Sequence, residues 1–284
     1  MVMGLYDQLN PTNASLETRL QSFVDAQRLA YADRDHFFGD PDEVNIPLET
    51  LLNPAYLKQR ARDRFAPAAK PTRGDLTAFD PGLAGIQWAR DTTDEMAGTS
   101  HLSIIDFDGN AVAMTATVEG PFGTQRWAKG FVLNNEMTDF AKEVPPDGRR
   151  LANAVAPNRR PRSSMSPTMV FDADDQLRLV TGSPGGNSIP AYVAKSLLGI
   201  LDWGLSPQDA VNYPNIIARG ETVRVEVGRE LGPEVASTLE GFGYPVKRRE
   251  GENSGLHVIE VTPAGLNGAA DPRREGVVVH LRTP

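Results

Sequence analysis

The sequence predicts an α+β protein in which antiparallel hairpins form a sheet layer covered by helices. Two patterns carry that expectation: apolar and polar residues alternate on both sides of tight turns, and helical periodicities stand between and around these hairpins. Such a mixture fits a covered antiparallel layer better than a parallel doubly wound sheet. With 284 residues the chain is long enough to bury a sizeable core. Its 40% hydrophobic and 23% charged residues lie in the ordinary globular range, so it is expected to fold.

Taken in order, Leu16 to Arg34 places Leu16, Leu20, Phe23, Val24, Ala30 and Tyr31 at helical spacing and reads as one amphipathic helix after the turn-prone Asn10-Pro11-Thr12-Asn13. Asp40-Pro41-Asp42 ends it, and a short helix is expected over Pro54 to Arg64. Ala66 to Gly98 mixes Gly, Pro and small polar residues without period, and reads as a long exposed connection of the kind that tends to be functional. A hairpin follows, His101–Asp106 and Ala111–Thr117 about Asp108-Gly109-Asn110. A second spans Thr168–Phe171 and Leu177–Thr181, then the glycine turn Gly182-Ser183-Pro184-Gly185-Gly186 and a helix from Ser188 to Trp203. Ser206-Pro207-Gln208-Asp209 supplies an N-cap, a proline at N1 and an acid at N3 for a helix to Tyr213. Thr222–Val227, a helix over Pro233–Gly241, and strands at His257–Val261 and Val277–Leu281 complete the expected elements, with no internal repeat.

Composition removes several functions. A formal net charge of −8 argues against nucleic acid as the main partner, since phosphate backbones are held by clustered Lys and Arg. The absence of cysteine excludes disulfides, thiolate nucleophiles and sulfur-held metals, while leaving the compartment open. Met1-Val2-Met3-Gly4-Leu5-Tyr6-Asp7 shows no signal-peptide pattern, and no apolar run approaches membrane-helix length, so a soluble chain without a membrane partner is expected. His36, His101, His257 and His280 form no HExxH pair, so no metal site or cofactor is expected. The turn Gly182–Ser188 opens a helix as a phosphate cradle would, yet lacks the P-loop lysine and the dinucleotide glycine spacing. Its amides remain suited to an oxyanion.

Gly98-Thr99-Ser100-His101, where connection meets strand, carries the informative chemistry. Here the sequence resembles the gamma-glutamyltranspeptidase family. The resemblance runs through the hairpin to Thr117, then Leu133-Asn134-Asn135-Glu136-Met137-Thr138-Asp139-Phe140, Arg160–Thr168, Gly182–Gly186 and Gly268–Arg274, with Ala30–Arg34 and Gly39–Asp42 matching the end of the family's large subunit. It implies an N-terminal-nucleophile hydrolase architecture, an αββα sandwich of stacked, mainly antiparallel sheets. Residues 1–98 would be the remnant of the large subunit, and 99–284 the small, catalytic subunit. Family members are often periplasmic or secreted.

A threonine hydroxyl is a poor nucleophile at neutral pH, but a free α-amine on the same residue, titrating near 8, supplies a base. Cleavage between Gly98 and Thr99 would create it, and glycine at 98 leaves room for attack by the Thr99 hydroxyl on the preceding carbonyl. By resemblance, Thr117 orients Thr99, and Gly185 and Gly186 supply oxyanion-hole amides. Glu136 and Asp139 would face a substrate α-ammonium, and Ser163 and Ser164 an α-carboxylate. Glu119 stands where most members carry Asn, adding negative charge beside those acids. The family's large subunit also has a few hundred more residues upstream, including an Arg that pairs with the glutamyl carboxylate and has no assignable counterpart here. The implied reaction is attack on a γ-glutamyl amide such as glutathione, with water or an amino acid as acceptor. Two rivals stand beside it: an acylase of the same mechanism acting on glutaryl, cephalosporin or oxamate amides, and a truncated, inactive chain needing a separate large-subunit segment. Association of the two processed fragments is expected in the active case.

Overall fold

The computed structural model describes residues 1–95, 98–143 and 145–281. In chain order, α1 (Val2–Leu9), α2 (Leu16–Phe37), α3 (Leu48–Leu52) and α4 (Pro54–Arg62) precede β1 (Thr99–Ile105), β2 (Ala111–Thr117), β3 (Trp127–Ala128) and β4 (Phe131–Val132). There follow β5 (Thr168–Phe171), β6 (Leu177–Gly182), α5 (Ile189–Leu201), α6 (Pro207–Asn212), β7 (Ile216–Ile217), β8 (Val223–Glu226), α7 (Gly232–Gly241), β9 (Val246–Arg249), β10 (His257–Thr262) and β11 (Gly265–Ala270).

Local chemistry sets the main boundaries. The Ser15 hydroxyl accepts from Thr18 N and caps α2, whose last turn carries Arg34 and His36 at the negative end of the helix dipole. Asn53 caps α4 through Ala55 N at 2.8 Å, and Ser206 caps α6 through Asp209 N at 3.1 Å. The β1–β2 turn closes as the Asp106 carboxylate accepts from the amides of Asp108 and Asn110, with Gly109 at φ +85°.

Antiparallel pairing gives a sheet in the order β11-β10-β6-β5, and the β1–β2 hairpin packs across β6 and β10 as a second layer. The layers meet closely: a Cβ at Gly182 would lie 2.3 Å from the His101 ring, which stacks on His257 at 6.2 Å between centroids. On the other face of the sheet, Leu179, Val258 and Ala269 share a core with Ile189, Val193, Leu197 and Val211 of α5 and α6. A second core joins Leu5, Phe23, Leu29 and Tyr56 to Val223, Val225, Val235 and Leu239. Residues before and after Gly98 are therefore buried against one another. The outer face of the hairpin leaves Leu102, Ile104, Val112 and Met114 exposed.

Several expectations need correction. α2 is buried almost all round, because its polar side also finds partners inside: Asp33 accepts from Arg60, Tyr56 and Gly74 N, and Arg28 donates to the carbonyls of Phe65, Ala66 and Ala69. The connection from Ala66 buries Leu76, Leu83, Ala89 and Asp91 rather than lying exposed, and its residues 96–97 fall outside the described ones. Residues 277–281 form no strand. Val278 packs on the face of β11, its side chain 2.6 Å from where a Cβ on Gly268 would be, instead of pairing along the sheet edge. Among the described residues, α1, α3, β3, β4, β7, β9 and β11 were not anticipated. β9 pairs in parallel with β8 across α7, and its Lys247, Arg248 and Arg249 hide it from an apolar-pattern search. Among the described residues no helix is long and apolar enough to cross a membrane.

Candidate active site

Thr99 opens β1 directly opposite Thr117, the last residue of β2, so the hairpin register brings both side chains to one end of the ribbon. The Thr99 hydroxyl donates to Thr117 Oγ1 at 3.1 Å, and Thr99 is almost fully buried. Thr117 Oγ1 also accepts from Glu119 N at 2.8 Å, which fixes the hydroxyl acceptor facing Thr99. Gly98 is sterically required: an added Cβ would sit 2.0 Å from Glu119 O and 2.6 Å from Gly120 C. The bond between Gly98 and Thr99 thus lies pressed against the strand-exit turn that carries Glu119, whose φ is +71°.

That turn starts an acidic pocket. Carboxylate oxygens of Glu119, Glu136 and Asp139 all lie within 4.8 Å of one another. Burial, then its hydrogen bond to Glu119, pushes Asp139 well above the ordinary carboxylate range, and burial followed by the charge of Glu119 raises Glu136. Three such close carboxylates among the described residues could hold a divalent ion. An ammonium group, which donates N–H to several carboxylates at once, suits the same geometry.

The other expected residues divide. The hydroxyl of Ser164 is buried and accepts from Arg34 Nη2 at 2.6 Å. Ser163 is exposed and accepts from Met165 N within its own loop. Gly185 and Gly186 take φ of +137° and +54°, and a Cβ at Gly185 would lie 2.4 Å from the Tyr192 ring, so the turn into α5 needs glycine for shape. Gly185 and Glu95 border the same cavity of about 550 Å³.

Some neighbours of Thr99 were not singled out from sequence. Arg274 Nη1 donates to Thr99 O at 2.9 Å while its Nη2 donates to Asn253 Oδ1 at 2.8 Å, tying β1 to the loop before β10. Asn135 Oδ1 accepts from Gly120 N at 2.7 Å and holds the acidic turn. The His101 ring bridges Thr115 Oγ1 at 2.7 Å and Ser103 Oγ at 3.1 Å. Burial and then His257 push its pKa down to about 4, so it is neutral at neutral pH. Arg274, Asn135 and His101 lie inside the motif blocks, and those blocks were the available signal.

The family model described as Gamma-glutamyltranspeptidase matches residues 1–281. The chain belongs to that family. It is 38% identical over 261 residues to the glutathione hydrolase proenzyme of Escherichia coli K12, covering 89% of this chain and 43% of that protein. A gamma-glutamyltranspeptidase structure from Pseudomonas nitroreducens, complexed with L-DON, superposes with a TM-score of 0.56 and 33% identity, over 64% of this chain and 100% of that one. A cephalosporin acylase structure from Bacillus halodurans shares the fold at a TM-score of 0.80 and 21% identity, over 100% of this chain and 48% of that one. The α+β architecture is that of these N-terminal-nucleophile hydrolases. The chain spans less than half the length of the curated gamma-glutamyltranspeptidase relatives it matches.

Proposed function

We propose that this chain is the precursor of an N-terminal threonine amidohydrolase that cuts itself between Gly98 and Thr99 and then acts on γ-glutamyl amides such as glutathione. The observation that carries this reading is the buried Thr99 hydroxyl, hydrogen-bonded to Thr117 next to a glycine pressed against the main chain of Glu119 and Gly120. In self-cleavage, Thr99 Oγ1 attacks the Gly98 carbonyl carbon and gives its proton toward the departing Thr99 nitrogen, leaving an ester that water hydrolyses. The products are a Gly98 carboxylate and a free Thr99 amine. That amine then takes the hydroxyl proton as Thr99 attacks the substrate carbonyl, and returns it to the leaving amine. Gly185 and Gly186 amides stabilise the oxyanion, an effect worth roughly 3 kcal/mol per donor. Water or an amino acid resolves the acyl-enzyme. The two fragments stay together because they share a core. In the working enzyme a further large-subunit segment covers the exposed hairpin face, a reading supported by the relatives' greater length.

The Glu119, Glu136 and Asp139 cluster favours a γ-glutamyl head, which carries an ammonium, over glutaryl, which does not. Steady-state kinetics of the self-cleaved protein on γ-glutamyl- and glutaryl-p-nitroanilide test this. Higher kcat/KM for γ-glutamyl, abolished by Thr99→Ala, is expected. A clear preference for glutaryl overturns the substrate assignment.

A further inference from the structure

We propose that Arg274 tunes the base of the reaction: its guanidinium, clamped on the Thr99 carbonyl, keeps the amine freed at Thr99 unprotonated at neutral pH. The inference deepens the reading above and rests on it for the existence of that amine.

Arg274 Nη1 donates to Thr99 O at 2.9 Å, and its Nη2 donates to Asn253 O at 3.2 Å and Asn253 Oδ1 at 2.8 Å. The stem of the side chain runs through a narrow slot, since a Cβ on Gly255 would lie 3.0 Å from Arg274 Cδ and 2.8 Å from Pro184 Cγ. The main chain beneath it is equally fixed. Arg274 N donates to Asp271 O at 3.3 Å, and the Asp271 carboxylate accepts from Ser254 Oγ at 2.6 Å, Leu256 N at 3.2 Å and Arg273 Nη1 at 3.0 Å. Arg273 is 3% exposed and donates through Nε and Nη2 to Glu226 at 2.8 Å and 2.6 Å. Of the two neighbouring arginines, Arg273 is matched by buried carboxylates, whereas Thr99 O and the two Asn253 oxygens that accept from Arg274 are neutral.

Carbonyl and amine belong to one residue, so a cation on Thr99 O stands a few ångströms from Thr99 N. A positive charge that close disfavours the ammonium form and lowers the amine's pKa. The shift matters, because an α-amine titrating near its ordinary value of about 8 is mostly protonated at neutral pH and cannot take the Thr99 hydroxyl proton.

The other charged groups around Thr99 show why a fixed cation is needed. Glu119 at the exit of β2, with Glu136 and Asp139 beyond β4, favours an ammonium, and so do Asp271 and Glu275 around Arg274 itself. Asp94 and Glu95 precede the cleaved bond and add to the same side. Burial and then His257 push His101 on β1 down to about 4, and burial lowers His257 on β10, so neither ring supplies positive charge at neutral pH. Tyr192 on α5 is raised by burial and stays neutral as well. Among the described residues Arg274 is the cation hydrogen-bonded to Thr99.

The test uses the two-fragment protein, residues 1–98 and 99–284 produced together with the initiator methionine removed before Thr99, so the amine exists whether or not the parent cuts itself. In samples carrying 13C-threonine, the α-carbon of Thr99, assigned by Thr99→Ser, reports the amine's pKa by NMR as pH is varied. Arg274→Gln should raise that pKa by about one unit or more, and Arg274→Lys, which keeps a charge, should recover most of the difference. Arg274→Met repeats the neutral substitution with the apolar stem retained. On γ-glutamyl-p-nitroanilide, the acid limb of kcat/KM should move up in Arg274→Gln by the same amount. A pKa unmoved by both neutral variants overturns the proposal, and so does an equal rise in Arg274→Lys, which is what a purely structural clamp predicts. The NMR reading needs no turnover: a shifted amine in an inactive protein supports this proposal and counts against the proposed activity, and an unmoved amine in an active protein does the reverse.

Discussion

Replacing Gly98 by alanine places a methyl carbon 2.0 Å from Glu119 O, 2.6 Å from Gly120 C and 2.8 Å from Gly120 O. All three blocking atoms are main chain, so no side chain can swing away and one strand of the junction must shift by about an ångström to restore van der Waals contact. Such overpacking costs about 1–3 kcal/mol of stability, which a chain with two shared cores absorbs as a modest drop in melting temperature. Attack geometry is far less forgiving, and a displacement of about 1 Å between reacting groups costs roughly 100-fold in rate. The Gly98→Ala protein should therefore fold and accumulate uncut, with self-cleavage slowed about 100-fold relative to the parent. Mass spectrometry of timed samples, scoring the fragment that begins at Thr99, measures the ratio, while thermal unfolding confirms the fold. An unchanged cleavage rate in a folded Gly98→Ala protein would refute the claim that this junction is the reacting bond.

Thr117→Val deletes the acceptor of both the Thr99 hydroxyl and Glu119 N, so cleavage should slow by about tenfold or more and stability should fall by about 1–3 kcal/mol, with Thr117→Ser restoring most of both. Asp139 has its pKa raised in the folded state, so its contribution to stability is present at low pH and is lost as pH rises above the ordinary Asp value toward the raised one. Denaturation from pH 4 upward should show Asp139→Asn gaining on the parent as pH increases, and a pH-independent gap would contradict the assignment. His101 has the opposite sign: lowered to about 4 from 6.5, it costs stability as pH falls through that window, with His257 shifted in the same direction. Urea unfolding at several pH values should show a shallower acid slope for His101→Gln, and an unaltered slope would count against a buried neutral ring.

Much of the fold was legible because it is written locally. Asp106 and Gly109 make the β1–β2 turn, and Ser206 and Asp209 start α6, each through residues within four positions. α2 was legible as a helix but not as a buried one, since the partners of Asp33 and Arg28 come from residues 56–74 and carry no pattern of their own. The same physics divides the site. Thr99 and Thr117 face each other through the register of one hairpin, with Glu119 at its exit, whereas Glu136 and Asp139 come from a separate 3-10 turn after β4. Arg274 meets Thr99 across 175 positions, and Arg34 meets Glu95 across 61, through ion pairs and carbonyl contacts that leave no periodic trace.

Whether the chain generates its own amine is decided by incubating the purified, folded protein, following its intact mass, and sequencing the new N-terminus. Two fragments should appear, one ending at Gly98 and one beginning Thr-Ser-His, and neither should form from Thr99→Ala. A folded protein that turns over γ-glutamyl amides while every molecule keeps its full-length mass would contradict the account.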